Sequence, residues 1–380
     1  MKFTINRSAF IEQLNNVLRA ISSKTTIPIL TGLKMVVSKD DITLTGSNAD
    51  ITLESKISIL DDKYALKIDK PGAIVLPARF FNEIIKKLPD DTVTITVTNN
   101  FEAQITSGPA EFKINGQDAN NYPPLPEVEA EQTIELAPDM LREVISQTVF
   151  AVSNQENRPI LTGIHITLSN KLLTLVATDS HRLAQRQVEL ADDNSQAYDV
   201  VLPGKSLTEL SRMISDEKDN VKLQIADNLA LFSFGNTHFY SRLLDGNYPE
   251  TSRLIPTTSD TQIELQADQF LAAIERASLL SHESRNNVVE LSLNPAENKA
   301  QISGDSPDVG FVEEAVANSQ LSGKELEISF NPDYMKDALR SFGKATITMS
   351  FTSPLRPFTL VPSGDEDNNF VQLITPVRTR

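Results

Sequence analysis

The chain has 380 residues, enough for two or three domains, each with its own core. Its 40% hydrophobic and 23% charged residues are a globular composition, and the absence of cysteine excludes disulfides and thiolate metal sites. A net charge of −16, taken alone, disfavours a nucleic-acid partner, because duplex binding relies on lysine and arginine neutralising phosphates.

In chain order, the first predicted element is a helix over 7–20, where Phe10, Ile11, Leu14, Val17 and Leu18 form a helical stripe. IPILTGLKMVV from Ile27 follows, then a second helix over 77–88 opening on Pro77, and the alternating strand VTITV from Val93. NNYPPLP, running to Pro126, closes this part. The order then repeats: a helix over 138–150, RPILTGIHITL from Arg158, a helix over 203–213 opening on Pro203, the strand VKLQI from Val221, and GNYPETSRLIP from Gly246. A diverged third copy has a helix over 267–280, NVVELSL from Asn287, a helix over 331–342 capped by Asn331-Pro332, and ATITM from Ala345. Ordered self-similarity of this kind predicts three similar domains, 1–125, 126–256 and 257–380, each sheet-rich with two helices on one side: an α+β fold.

Within the second copy, TDSHRLAQR from Thr178 places a carboxylate, a serine and a histidine in succession. A hydrolytic triad converges from separate elements, and consecutive strand residues point to opposite faces, so adjacency argues against catalysis by Asp179, Ser180 and His181. The alternative is that Asp179-Ser180 is a turn ending the strand LLTLVAT. The other histidines, His165, His238 and His282, have no phosphate loop, nucleophile elbow or metal-ligand spacing around them. A start without a basic and apolar leader, and no apolar run of about 18 residues, point to a cytoplasmic protein and away from a surface adhesin or a membrane.

The three repeats, the opening MKFTINR, TDSHRLA and the ending FVQLITPVRTR resemble the bacterial DNA polymerase III beta subunit family, the replication sliding clamps. The resemblance covers essentially the whole chain. It implies a head-to-tail homodimer forming a six-domain ring, strands outside and helices inside, that encircles double-stranded DNA without reading its sequence. It also implies no enzymatic activity, no cofactor and no metal. The partners implied are the replicative DNA polymerase, an ATP-driven clamp loader and repair proteins, held through short peptide motifs. Charge agrees with a DNA-lined hole: the six helix windows hold eleven Lys/Arg against nine Asp/Glu, so the rest of the chain carries −18.

By the same resemblance the DNA-facing positions are Lys24, Gln155 and Arg158 in loops, with Arg79, Lys86, Lys87, Lys205, Arg212, Lys336 and Arg340 on the second helices. Each has the alternative reading of an ordinary solvated charge. The implied peptide pocket takes Leu161, Thr178, Ser180, His181, Arg182 and Leu183 from the second domain, then Pro249, Arg253 and Leu254. Leu355 and Pro357 come from the third domain, and Thr375, Pro376, Val377 and Arg378 from the tail. There Arg182, His181 and Arg253 are expected to anchor peptide carbonyls or an acidic residue over an apolar floor; for Leu183, core packing is the alternative. Two departures from the family pattern bear on motif preference: the tail Thr375 to Arg380 replaces Met-Pro-Met-Arg-Leu, and Ser180 stands where glycine is usual. The dimer contact falls on Phe112 and Ile114 against Leu279 and Leu280, with Glu313 and Glu314 on its rim. For the two leucines, core packing is the alternative.

Overall fold

The computed structural model describes the chain except residues 99, 126, 127, 129–131, 156, 282–286, 366, 379 and 380, and except the side chains of 192–196. His282 lies outside the described residues.

Six α-helices are seen among the described residues, two per repeat: α1 Arg7–Leu18, α2 Ala78–Lys87, α3 Pro138–Ser146, α4 Gly204–Met213, α5 Ala267–Ser281 and α6 Pro332–Phe342. Their starts follow local chemistry. Asn6 accepts from the Ala9 amide at 3.0 Å and Asn331 from the Asp333 amide at 2.8 Å, satisfying first-turn donors that a helix leaves unpaired. Pro77 closes the strand Gly72–Pro77 and stands just outside α2 rather than opening it. The third helix stops short of the expected 150. The Thr148 hydroxyl donates to the Val144 carbonyl at 2.8 Å, and a separate 3-10 turn, Val149–Ala151, follows.

The strands form four antiparallel sheets among the described residues. A five-stranded sheet ends on Ala110–Asn115 and a four-stranded sheet on Gly310–Ala315, each strand at an edge. The other two sheets run across repeat boundaries. In the eight-stranded one, Thr237–Arg242 of the second repeat pairs with Ile51–Ser58 of the first, Phe239 opposite Leu53. In the seven-stranded one, Arg182–Pro203 of the second repeat pairs with Phe370–Ile374 of the third, Ala184 opposite Gln372.

This pairing explains why contacts divide the chain into two compact units rather than three. One unit is Met1–Met140 with Glu209–Leu243, the other Leu141–Thr208 with Leu244–Arg380. The second repeat is shared because each of its sheets continues into a neighbouring repeat. In the first unit, Phe10, Leu14 and Val17 of α1 and Phe81 and Ile85 of α2 are buried with Phe3, Leu33, Leu44 and Ile95 of the sheets. In the second, Phe270 and Ile274 of α5 and Met335 and Leu339 of α6 occupy the same places over Ile263, Leu291, Ile302 and Met349. Alternation in the strands thus sends one face to the helices and leaves the other outward.

Candidate functional site

The TDSHRL segment is the turn of a hairpin between Gly163–Thr178 and Arg182–Pro203, with Thr178 opposite Leu183. The Thr178 hydroxyl donates to the Arg182 carbonyl at 2.6 Å and accepts from the Ser180 amide at 3.1 Å. Asp179 Oδ1 accepts from the amides of His181 and Arg182, and Oδ2 accepts from Arg182 Nε at 3.0 Å. The carboxylate therefore organises backbone and Arg182, while the His181 ring stacks on Tyr334 at 6.3 Å. No relay from carboxylate to imidazole to serine exists in this geometry.

The first repeat builds the same turn without a histidine. Ser47 donates to the Ile51 carbonyl and accepts from the Ala49 amide, and Asn48 Oδ1 accepts from the amides of Asp50 and Ile51. Ala49 and Ser180 share a left-handed backbone, φ 79° and 80°. Such a φ favours glycine, which accounts for the family preference that Ser180 departs from.

Arg182 corrects an expectation. Its guanidinium is bound by Asp179 and, at 2.7 Å, by Asp337 of α6; it lies over the rings of Tyr334 and Phe150, and its side chain is only 10% exposed. It joins the hairpin to α6 and is no free anchor for a ligand. Burial, with Asp179 nearby, pushes the Tyr334 hydroxyl above its ordinary range.

Leu161, Thr178 and Leu183 are buried. Leu183 packs with Val176 and Leu373 beneath Tyr248 and Ile255, on the sheet face turned away from the helices. So it is packed under the surface instead of forming a wall. Tyr248 accepts from the Thr178 amide at 3.1 Å, stacks on His165 at 4.9 Å, and has its hydroxyl pushed up by burial. His165 Nε2 lies 2.7 Å from Asp199. Between the anchored Tyr248 and Ile255, the chain arches through Pro249, Arg253 and Leu254, all exposed. The tail arrives from the other side: the Thr375 amide donates to the His181 carbonyl at 2.9 Å and the Val377 amide to the Ser329 carbonyl at 2.7 Å. Phe358, Ile374 and Arg182 stand in one row of the sheet, which places Pro357, Thr375 and His181 at the same end. Leu254 and Leu355 are 51% and 59% exposed. Ser180, His181 and Arg378 are also exposed, and Pro376 and Val377 partly so.

The equivalent joint between the first two repeats is polar on its outward face, where Thr45, Thr52 and Tyr240 stand in place of Val176, Leu183 and Leu373. An apolar floor thus exists at one joint and not at the other. The residues that sequence reasoning missed are Val176, Tyr248, Ile255, Tyr334, Asp337 and Leu373. Two signals for them were present: the consecutive apolar run Leu175-Val176-Ala177, which buries both faces of a strand, and the tyrosine shared by the two Asn-Tyr-Pro echoes.

At the far end of the same strand pair lies a separate cavity of about 410 Å³, lined by Glu143, Gln147, Arg186, Phe342, Asp365 and Phe370. It contains none of the residues assigned to the peptide pocket. Among the described residues no cluster of three His, Asp or Glu is placed to hold a metal ion.

Of the basic candidates, Lys24, Arg79, Lys86, Lys87, Arg158 and Lys205 are exposed, as is Gln155. Arg212 is exposed but 3.3 Å from Glu209, and Arg340 is 3.0 Å from Glu275. Lys336 contradicts its assignment. Its side chain is 12% exposed and its ammonium sits 2.7 Å from Asp333 and 3.4 Å from the Ser278 hydroxyl, so it ties α6 to α5.

Of the edge residues, Phe112 and Leu279 are 40% and 69% exposed, Leu280 is half-buried and Glu313 is exposed. Ile114 belongs to the core of the first unit, whereas Phe112, on the same face of the edge strand, stays 40% exposed. Arg276 Nε donates to Glu314 at 2.8 Å, which holds the Glu314 carboxyl below its ordinary range.

Three family models match in order: the N-terminal domain of the DNA polymerase III beta subunit over residues 1–126, its central domain over 135–250 and its C-terminal domain over 252–378. The Beta sliding clamp of Bacillus subtilis is 50% identical and that of Staphylococcus aureus 42%, each aligned over the whole of both chains. The crystal structure of the Bacillus subtilis DNA polymerase sliding clamp superposes with a TM-score of 0.96 over the whole of both chains. A Pseudomonas aeruginosa sliding clamp solved bound to griselimycin is 26% identical with a TM-score of 0.90, again over both whole chains. Repeats, joints and matches agree along the whole sequence, and the chain belongs to the DNA polymerase III beta subunit family, the bacterial sliding clamps of DNA replication.

Proposed function

We propose that two copies of this chain close head to tail into a ring around duplex DNA, and that the ring tethers polymerases and other DNA-processing proteins in the cytoplasm without chemistry of its own. The observation that carries this is the pair of open sheet edges, Ala110–Asn115 and Gly310–Ala315. Among the described residues the two joints between repeats, Ile51–Ser58 with Thr237–Arg242 and Arg182–Pro203 with Phe370–Ile374, are filled by strand pairing, and an unfilled edge is an association surface. Head-to-tail pairing covers both. The repeat boundaries near 125 and 256 then mark three domains per chain, six per ring.

Within such a ring, the exposed Lys24, Arg79, Lys86, Lys87, Arg158 and Lys205 are the candidates for weak phosphate contacts, with Gln155 beside them. Sliding needs replaceable phosphate contacts and no base readout. The peptide site is the arch of Pro249, Arg253 and Leu254, with His181, Leu355, Pro357 and the tail from Thr375, over the Leu183 floor. Exposed leucines supply apolar contact, and Arg253 supplies the cation that Arg182 does not. A ligand-bound relative supports a binding surface on clamps of this fold.

Mass in solution and retention on DNA test the reading together. A ring has a mass near twice 42.0 kDa and stays on circular DNA while running off linear DNA. A monomer at micromolar concentration, or tight binding to short linear duplex that survives about 200 mM salt, would overturn it.

A further inference from the structure

We infer that Asp245-Gly246 is a site of spontaneous backbone isomerisation, and that conversion of Asp245 weakens the peptide site by lengthening the chain that leads into Tyr248; the second half rests on the docking reading above. Asp245-Gly246 is the one Asp-Gly step in the chain, and Asn115-Gly116 is the one Asn-Gly step. Both sequences are disposed to the same reaction, because glycine has no Cβ to shield its amide nitrogen from the side-chain carbonyl carbon before it. The fold treats them oppositely.

At Asn115 the nucleophile is engaged. The Gly116 amide donates to the Phe101 carbonyl at 2.7 Å, and a Cβ on Gly116 would lie 2.6 Å from Ile74, so neither the nitrogen nor the space for a ring is free. Asp245 and Gly246 are both exposed, outside any strand or helix. Among the described residues the Gly246 amide donates to nothing, and the Asp245 carboxylate has no hydrogen-bond or ion-pair partner. Gly246 has a φ of 121°, and a Cβ there would meet only Ile160, at 3.8 Å. Nothing opposes the turn of this carboxyl onto the amide.

The reaction needs no reagent besides water. The Gly246 nitrogen attacks Asp245 Cγ and an N–C bond forms. The amide proton and the hydroxyl of the protonated carboxyl leave as water, and a five-membered imide closes. Water then adds to one of the two imide carbonyls. Opening at Cγ restores aspartate. Opening at the backbone carbonyl leaves the chain running through Cβ and Cγ, with a free carboxylate on Cα. Mass and charge are unchanged, but the main chain gains one carbon, about 1.5 Å.

The position of that carbon decides its effect. Just before it the chain is held, where the Leu244 amide donates to the Val201 carbonyl at 2.8 Å. It is held again at Tyr248, whose hydroxyl accepts from the Thr178 amide and whose ring stacks on His165. Only Asp245, Gly246 and Asn247 lie between. The added length is therefore passed to Tyr248, which covers the Leu183 floor, and to the arch of Pro249, Arg253 and Leu254 that follows.

Trypsin cuts after Arg242 and Arg253, so one peptide, Leu243–Arg253, reports the conversion by chromatography and electron-transfer fragmentation. Folded protein kept warm at neutral pH for several weeks should yield a growing second form of this peptide, with Asn115 unchanged. Asp245→Asn should convert at least tenfold faster, losing ammonia in place of water, and Asp245→Glu, which would need a six-membered ring, should not convert. A single form that persists while the same synthetic peptide converts, or conversion at Asn115 ahead of Asp245, overturns the site. Titration with a short apolar peptide tests the consequence: sites at least tenfold weaker should grow in step with the converted fraction, and the Asp245→Glu protein should keep its affinity through the same incubation. Undiminished affinity after conversion overturns the coupling to Tyr248. Fresh protein that binds no such peptide sinks the docking reading instead, and leaves the isomerisation to be judged from Leu243–Arg253 alone.

Discussion

The Asp337 carboxylate on α6 meets the Arg182 guanidinium of the hairpin turn at 2.7 Å, linking the second repeat to the third through a side chain only 10% exposed. Because the cation is buried, removing one of its carboxylates leaves it underpaired. Asp337→Ala should therefore destabilise the protein by about 1–3 kcal/mol, the usual range for losing a partner of a buried charge that keeps a second one. Denaturant unfolding at neutral pH measures this. The same variant should weaken peptide docking by loosening the turn, although Asp337 itself is not a docking residue.

Ser180 holds a φ of 80°. An L-residue in the left-handed region costs about 1–2 kcal/mol, and glycine gives back about 0.5–1 kcal/mol through its more flexible unfolded state. Ser180→Gly should thus raise stability by up to about 1 kcal/mol with peptide affinity retained. Ser180→Ala should leave both DNA retention and peptide affinity near the starting values, since no relay runs through the hydroxyl. Equilibrium unfolding and peptide titration on the two variants check these outcomes.

The repeat was readable because its signatures are local: Pro-Ile-Leu-Thr-Gly, the helix starts and Asn-Tyr-Pro each follow from turn and cap chemistry within a few residues. The six helices came out in place for the same reason. What could not be read was pairing at long range. Lys336 looked like any exposed helix lysine until Ser278 and Asp333 were seen around it. Arg182 looked like a docking cation because Asp337 is 155 residues away. Ile114 and Phe112 are two apart on one strand and share a face, so alternation could not tell the buried residue from the one left 40% exposed on the edge strand.

Exposure of Leu254 and Leu355 makes them the cleanest probes of the docking site. Leu254→Ala and Leu355→Ala should each reduce the affinity for a short apolar peptide by about 1–2 kcal/mol, with thermal unfolding unchanged because both side chains already lie more than half in water. Isothermal titration on each variant decides it.

Glu54 faces His238 across the first joint, and burial raises its pKa above the ordinary 4.5. A carboxyl with a raised pKa binds its proton more tightly when folded. Its stabilising contribution is complete below about 4.5 and is lost as pH rises through the folded value. Glu54→Gln should therefore melt higher than the unmodified protein at pH 7, and the difference should shrink as pH falls toward 4.5. Melting curves across that interval give the sign.

Retention on circular DNA should fall when Lys24 and Arg158 are replaced by alanine, and its dependence on salt should become shallower by about one counterion for each phosphate that is no longer neutralised. Lys336→Ala should lower stability and leave that salt dependence untouched, since its ammonium is occupied within the protein.

The two filled joints share a property that the two open edges lack: polypeptide runs through them. If Thr237–Arg242 parts from Ile51–Ser58, the intervening chain keeps both strands at high effective concentration and they find each other again. No linker spans the seam between copies, so strands that separate there drift apart at the bulk concentration of the protein. Equal strand pairing at every joint would still leave one kind of place where a ring can be pried apart without unfolding anything.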